Sequence, residues 1–200
     1  MKLTTLFKMI LRGPYRIFLV LQKAFILNYS NYYRKKGVKV GENCKFIAAP
    51  YFWNIPDMGS EPYLIEIGNH TTISFGTTFL THDGSNWVFR EKEEYSNVII
   101  AGKIQIGNNC FIGCRSTILP GVTIGDNCIV GACSLVSKSI PDGEVWAGVP
   151  AHFISTTEDY ASKSKSRSPK HEPITKENKR RVLSELFVSV TGENAKENLH

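Results

Sequence analysis

From Ile106 onward an aliphatic residue recurs at every sixth position, through Ile112, Ile118, Ile124 and Val130 to Val136. A helix repeats at about 3.6 residues and a half-buried strand at 2, so neither produces this register. A coil of flat faces, six residues to a face, does. Glycine follows the aliphatic at Gly107, Gly113, Gly125 and Gly131, and the fifth place is small or short at Cys110, Ser116, Val122, Cys128 and Ser134. The pattern predicts one inward aliphatic near the middle of each face, a small neighbour beside it, and a tight bend between faces where glycine tolerates close approach. Successive coils stacked at roughly 4.8 Å pair their backbones as a parallel sheet does. Cys110 then shares a column with Cys128, and Ile106 with Ile124.

The same register places the first coil at Val40-Gly41-Glu42-Asn43-Cys44, with Phe46 six residues later. It lapses over Tyr51–Pro62, whose proline and glycine content predicts a loop with aromatics available for sugar contact, coil capping or a subunit contact. It resumes at Ile67, Ile73 and Phe79 and breaks again over residues 81–103, an insertion of mixed polarity. Long excursions from a regular scaffold carry function or subunit contacts. After Val136 the coil closes through Ser137–Gly143. Residues 155–174, rich in Ser, Lys and Pro, predict a flexible linker. Thr175 is positioned to cap a terminal helix with Val182, Leu183, Leu186, Phe187 and Val190 on one face. The expected organisation is a basic apolar helical arm (1–36), a solenoid domain (37–154), the linker, and a C-terminal helix and tail (175–200).

Charge separates these segments. Residues 1–36 hold eight basic residues and no acidic one, whereas the whole chain has a net charge of +6. The excess is confined to an apolar arm without a nucleic-acid motif, which points away from nucleic acid and toward a lipid surface or packing on the solenoid. Lys23 interrupts the apolar run of the arm, which is too short for the roughly 20 residues of a membrane span. Cys110, Cys114, Cys128 and Cys133 loosely imitate a zinc spacing. Their hexad positions separate them, since Cys44, Cys110 and Cys128 point inward while Cys114 and Cys133 occupy the third and fourth places. No metal is expected. An odd cysteine count without a clear secretory signal fits a reducing cytoplasm.

The run from Ile106-Gly107-Asn108-Asn109 through Ile118-Leu119-Pro120-Gly121 to Gly131-Ala132-Cys133-Ser134, with Ala147-Gly148-Val149-Pro150-Ala151, resembles the hexapeptide-repeat acyltransferases. Within that family it is most similar to acetyl-CoA-dependent O-acetyltransferases of sugars and surface polysaccharides. The resemblance covers roughly residues 38–154 and implies a mainly β fold, a left-handed parallel β-helix, working as a homotrimer. It further implies acetyl-CoA as co-substrate in a groove between solenoids, contacted by Cys114, Ala132, Ser137 and Lys138. Lys138 would meet the coenzyme's phosphates as a point charge. Trp146 and His152 stand where the family commonly has smaller and basic residues.

Acetyl transfer to a hydroxyl needs a base for the proton, donors for the oxyanion and alignment of the thioester. A neutral imidazole suits the first role. His82, in Leu80-Thr81-His82-Asp83-Gly84-Ser85, sits where a repeat face ends and the insertion begins, which matches the place of the family's catalytic histidine. Asp83 is a candidate to orient its ring. His70 is expected to be solvated, and inward Cys110 and Ser116 are not expected to form an acyl-enzyme.

The sequence-level expectation is transfer of acetyl from acetyl-CoA to a saccharide hydroxyl of a surface glycan or lipid-linked precursor. The site is expected in the cytoplasm, with peripheral contact to the inner membrane face through residues 1–36. The alternatives are a xenobiotic O-acetyltransferase, an acyltransferase using acyl carrier protein, and a non-catalytic trimeric scaffold. A metal-dependent carbonic anhydrase on the same coil lacks its paired downstream histidines here.

Overall fold

The computed structural model describes residues 29–47 and 55–188, so most of the basic arm and the aromatics Tyr51, Phe52 and Trp53 lie outside the described residues. The described residues divide into two compact units, one ending at Thr157 and the other beginning at Glu158.

The first unit is a left-handed parallel β-helix with three faces. One face stacks β1 (Lys39–Val40), β3 (Ile65–Ile67), β8 (Ile104–Ile106) and β11 (Thr123–Ile124). The second stacks β2 (Lys45–Phe46), β4 (Thr72–Ile73), β9 (Phe111–Ile112), β12 (Ile129–Val130) and β14 (Glu144–Gly148). The third stacks β5 (Thr78–Phe79), β10 (Thr117–Ile118) and β13 (Leu135–Val136). The solenoid pairs are parallel, and Gln105 opposes Thr123 as Phe111 opposes Ile129, eighteen residues apart. Earlier registers are longer, from Lys39 to Glu66 and from Glu66 to Gln105, because the two lapses in the repeat lie between those strands. Both lapses return to the first face, at Ile65 and at Ile104, and these strands pair in register, so the stack is undisturbed.

Ile73, Phe79, Ile112, Ile118, Val130 and Val136 are fully buried, so the sixth-position residues are the core column. The small fifth position has a second reason beyond volume. The Cys110 thiol donates to the Gly125 carbonyl at 3.0 Å and Cys128 to the Pro141 carbonyl at 3.0 Å. Likewise, Thr71 donates to the Gly107 carbonyl at 2.9 Å and Ser116 to the Gly131 carbonyl at 2.9 Å. At the corners the chain turns out of the ladder, and a buried carbonyl there needs a side-chain donor. Cysteine, serine and threonine supply one in the space of a small hydrophobe.

Outside the same corners runs a second ladder. The Asn69 amide N–H donates to Asn108 Oδ1 at 2.8 Å, Asn108 N–H to Asp126 Oδ1 at 2.6 Å, and Asp126 N–H to Asp142 Oδ1 at 2.8 Å. Asn43, His70, Asn109 and Asn127 follow in the left-handed region, φ 53–59°, where a short polar side chain is tolerated. His70 therefore belongs to this ladder, its Nδ1 lying 2.8 Å from Asn109 Oδ1.

The start of the stack is closed by α1 (Tyr29–Lys35), whose buried Tyr33 packs at 4.7 Å on Phe46 and donates its hydroxyl to the Pro56 carbonyl at 2.7 Å. The other end is closed by β15 (Ala151–Thr156), which pairs antiparallel with β14 and covers an otherwise open parallel edge. Of residues 155–174, expected to form a flexible linker, those up to 167 instead continue β15 and form α2 (Thr157–Arg167), and residues 168–174 lie outside any helix or strand. Glu158 and Asp159 in its first turn and Lys165 and Arg167 in its last complement the helix dipole. In the second unit, Thr175 N–H donates to Asn178 Oδ1 at 2.6 Å and Asn178 N–H to Thr175 Oγ1 at 3.3 Å, a reciprocal cap ahead of α3 (Lys179–Val188). Val182 is buried, while Phe187 is exposed. Among the described residues no helix is long and apolar enough to cross a membrane.

Candidate active site

The insertion leaves the third face after Phe79 and returns to the first face at Ile104. Its base is a two-stranded antiparallel ribbon, β6 (His82–Asp83) against β7 (Ile100–Ala101), with His82 opposite Ala101. Gly102 N–H donates to the Thr81 carbonyl at 2.9 Å, which ties the returning strand to the last buried residue of the outgoing one. His82 thus follows directly on the last buried residue, at a corner fixed from both directions. Beyond the ribbon the insertion makes short 3₁₀ turns and exposes Trp87 (75%), Val88 (75%) and Ile99 (79%).

The ring of His82 is held by Glu61. Its Nδ1 lies 2.9 Å from Glu61 Oε2, and the same oxygen accepts from the buried Thr81 hydroxyl at 2.5 Å. These hydrogen bonds, Thr81 first and His82 second, hold the Glu61 carboxyl below the usual carboxylate range. An ionised carboxylate only accepts, so Nδ1 carries the proton of a neutral ring and Nε2 keeps its lone pair. Ser60 Oγ stands 3.4 Å from Nδ1.

Asp83, the sequence-level candidate for orienting the ring, does something else. Its side chain accepts from Ser85 N–H at 2.8 Å and caps the turn that opens the insertion. Adjacent residues on an extended ribbon point to opposite sides, so a carboxylate next in sequence is poorly placed to reach the imidazole. Glu61 comes from the loop where the repeat lapses, 21 residues upstream. No register links the two, and sequence periodicity carried no signal for it.

A cleft of about 490 Å³ opens at this corner, lined by Ser60, His82, Asp83, Leu80, Leu119 and Pro120 among others. Leu80 N–H bonds to the Ile118 carbonyl and Leu119 N–H to the Val136 carbonyl, so Leu80, Leu119 and Ser137 form one column. Ser137 and Lys138 are exposed on the same corner as His82, two coils further along the stack. Cys114 and Ala132 occupy the opposite edge of that third face, where the Cys133 N–H donates to the Cys114 carbonyl at 2.8 Å. Cys114 is half-buried and Ala132 exposed. The five sequence candidates thus share one face but split between its two edges. Cys110 and Cys128 are inside the coil and Cys133 outside, and among the described residues no three His, Cys, Asp or Glu side chains converge as metal ligands.

A triangular coil of hexads with a histidine at the mouth of its insertion defines the class to which the molecule belongs. Residues 103–138 match the profile described as bacterial transferase hexapeptide (six repeats). The chain is 52% identical over 130 residues to protein CapG of Staphylococcus aureus, covering 65% of this chain and 72% of CapG. It belongs to the hexapeptide-repeat acyltransferase family. It is also 35% identical over 128 residues to the putative acetyltransferase YvoF of Bacillus subtilis (strain 168), covering 64% of this chain and 66% of YvoF. Galactoside O-acetyltransferase of Escherichia coli (strain K12) is 39% identical over 101 residues, half of this chain and 47% of that enzyme.

Proposed function

We propose that the protein transfers an acetyl group from acetyl-CoA to a hydroxyl of a saccharide, in a surface polysaccharide or a lipid-linked glycan precursor. The observation that carries this reading is the Glu61–His82 pair at the mouth of the cleft, which leaves Nε2 as a base facing an acceptor. His82 Nε2 takes the hydroxyl proton as the acceptor oxygen attacks the thioester carbonyl carbon. The tetrahedral intermediate collapses with cleavage of the C–S bond, and the departing sulfur takes the proton back from the imidazolium. Glu61 is a positioning residue that holds the ring and balances the transient charge. Identity to an enzyme named for galactoside O-acetylation supports a sugar acceptor.

Ser137 and Lys138 serve the donor in this reading, Lys138 meeting phosphate. Cys114 and Ala132 line its thioester arm from the opposite edge of the face, as they would when copies assemble side by side in a homotrimer. A cytoplasmic location with peripheral membrane contact through the basic arm completes it. Because Tyr33 is part of the solenoid core, the test of that contact is vesicle co-sedimentation after deletion of residues 1–28 only.

Calorimetric titration of the full-length protein with acetyl-CoA, followed by turnover on sugars, tests the proposal. Saturable binding weakened by Lys138→Ala is expected, with His82→Ala binding normally but turning over roughly 10²–10⁴-fold more slowly, the usual contribution of general-base catalysis. A well-folded protein that does not bind acetyl-CoA overturns it in favour of a carrier-protein donor or a scaffold.

A further inference from the structure

The His82 cleft adjoins a second cavity of about 430 Å³ between α1 and the first coil, and Gly59 and Ser60 line both. Its volume is in the range of small-molecule sites, roughly 300–1,000 Å³. The floor is built into the core, since Tyr33, Pro56 and Met58 are buried and the Tyr33 hydroxyl is bonded to the Pro56 carbonyl. The wall shared with the catalytic cleft is equally set. Gly59 has φ +63°, and a Cβ there would lie 2.7 Å from the Phe79 carbonyl oxygen, so the chain passes close against the coil.

The rim has a different character. Tyr32 exposes its ring beside the buried Tyr33, with the Lys36 ammonium 5.1 Å from the ring centroid. Asp57 is exposed, and its Oδ1 accepts from Gly59 N–H at 3.1 Å, leaving the carboxylate further lone pairs. An aromatic face, an acceptor-only carboxylate and an ammonium donor around an apolar floor complement a pyranose, which has an apolar C–H face and a hydroxylated edge. A phosphate would meet the Asp57 charge at close range, which disfavours a sugar phosphate or lipid diphosphate in this cavity.

We infer that this cavity is a second sugar subsite, so that the acceptor is a glycan of at least two rings: one presents its hydroxyl to His82 and its neighbour lies against Tyr32. The inference rests on the saccharide O-acetyltransferase reading above and adds to it the minimum length of the acceptor.

The test measures kcat/KM for acetyl transfer to paired acceptors by the full-length protein: galactose with lactose, glucose with maltose, and N-acetylglucosamine with chitobiose. At least one disaccharide is expected to exceed its monosaccharide by about tenfold, the size of one good ring contact. Tyr32→Ala and Asp57→Asn are each expected to bring that ratio toward one. Asparagine keeps an oxygen for Gly59 N–H, so the second variant stands if the first fails to fold. A ratio near one in every pair, or one unchanged in both variants, overturns the subsite while monosaccharide turnover leaves the acetyltransferase reading standing. No turnover on any sugar by a protein that binds acetyl-CoA removes the saccharide reading and the subsite with it.

Discussion

Replacing Gly107 with alanine tests the close coil-to-coil approach that the hexad glycines permit. A Cβ on Gly107 would sit 2.6 Å from both the carbon and the oxygen of the Gly125 carbonyl. Backbone of the next coil cannot swing aside as a side chain does. Reaching ordinary contact near 3.5 Å requires the two coils to separate by about 0.9 Å there. Gly107 N–H bonds to the Ile124 carbonyl at 2.8 Å; the same displacement stretches that bond to about 3.7 Å, beyond hydrogen-bonding range. The loss of one ladder bond costs about 0.5–1.5 kcal/mol, and overpacking against a rigid wall adds roughly 1–3 kcal/mol. For a chain of this size, with about 2–4 °C per kcal/mol, thermal unfolding should fall by about 5–15 °C. Gly84 is the matched control, because a Cβ there meets nothing within 4 Å, and Gly84→Ala should stay within about 0.5 kcal/mol of the parent. Circular dichroism melts at one fixed protein concentration, which holds the mass-action contribution of self-association constant, provide the comparison. A Gly107→Ala melt within about 2 °C of the parent, or equal losses at both glycines, would refute the argument from coil spacing.

Glu61→Ala removes the group that holds the His82 ring, and misplacement on the order of 1 Å costs about 10²-fold; kcat should fall by that much with the KM for acetyl-CoA nearly unchanged, and an equal rise in KM would contradict a positioning role. Glu66, flanked by Lys103 at 2.6 Å and Lys39 at 2.5 Å, has its carboxyl lowered to about 2. Because this pKa is depressed, its contribution to stability is complete above the ordinary carboxylate value and is lost as pH falls toward 2. Melts of Glu66→Gln should therefore lie below the parent at neutral pH and converge with it between about pH 4.5 and 2; a constant offset across that window would rule the ion cluster out as the cause. Ile118 is fully buried in the third face, and Ile118→Ala should destabilise by about 2–5 kcal/mol in denaturant titration, whereas a loss under about 1 kcal/mol would mean that the column repacks.

Where the sequence was periodic it was readable, and the reason is geometric. Each face of the coil repeats one environment, so Ile112, Ile118, Ile124, Val130 and Val136 announce the same buried site again and again. The His82 corner was legible because it is the place where that repetition stops. Its partner was not. Glu61 sits in an irregular loop, and its approach to Nδ1 depends on how the chain returns from the first lapse. The serine- and lysine-rich segment after Thr156 read as linker because its composition offers no apolar stripe; α2 has no buried residue and draws instead on charges suited to its ends.

What the sequence determined by itself is a coil of six-residue faces and the place along it where His82 falls, because a six-residue repeat buries its aliphatic column when the chain winds with that period. What only the tertiary structure decided is the set of side chains that meet at the corners. Glu61 against His82, Ser60 between two cavities, and the thiols of Cys110 and Cys128 on carbonyls of the next coil all join residues whose separation is set by loops or by stacking. Such contacts depend on the path of the backbone through space, and that path becomes definite only when the coils are stacked.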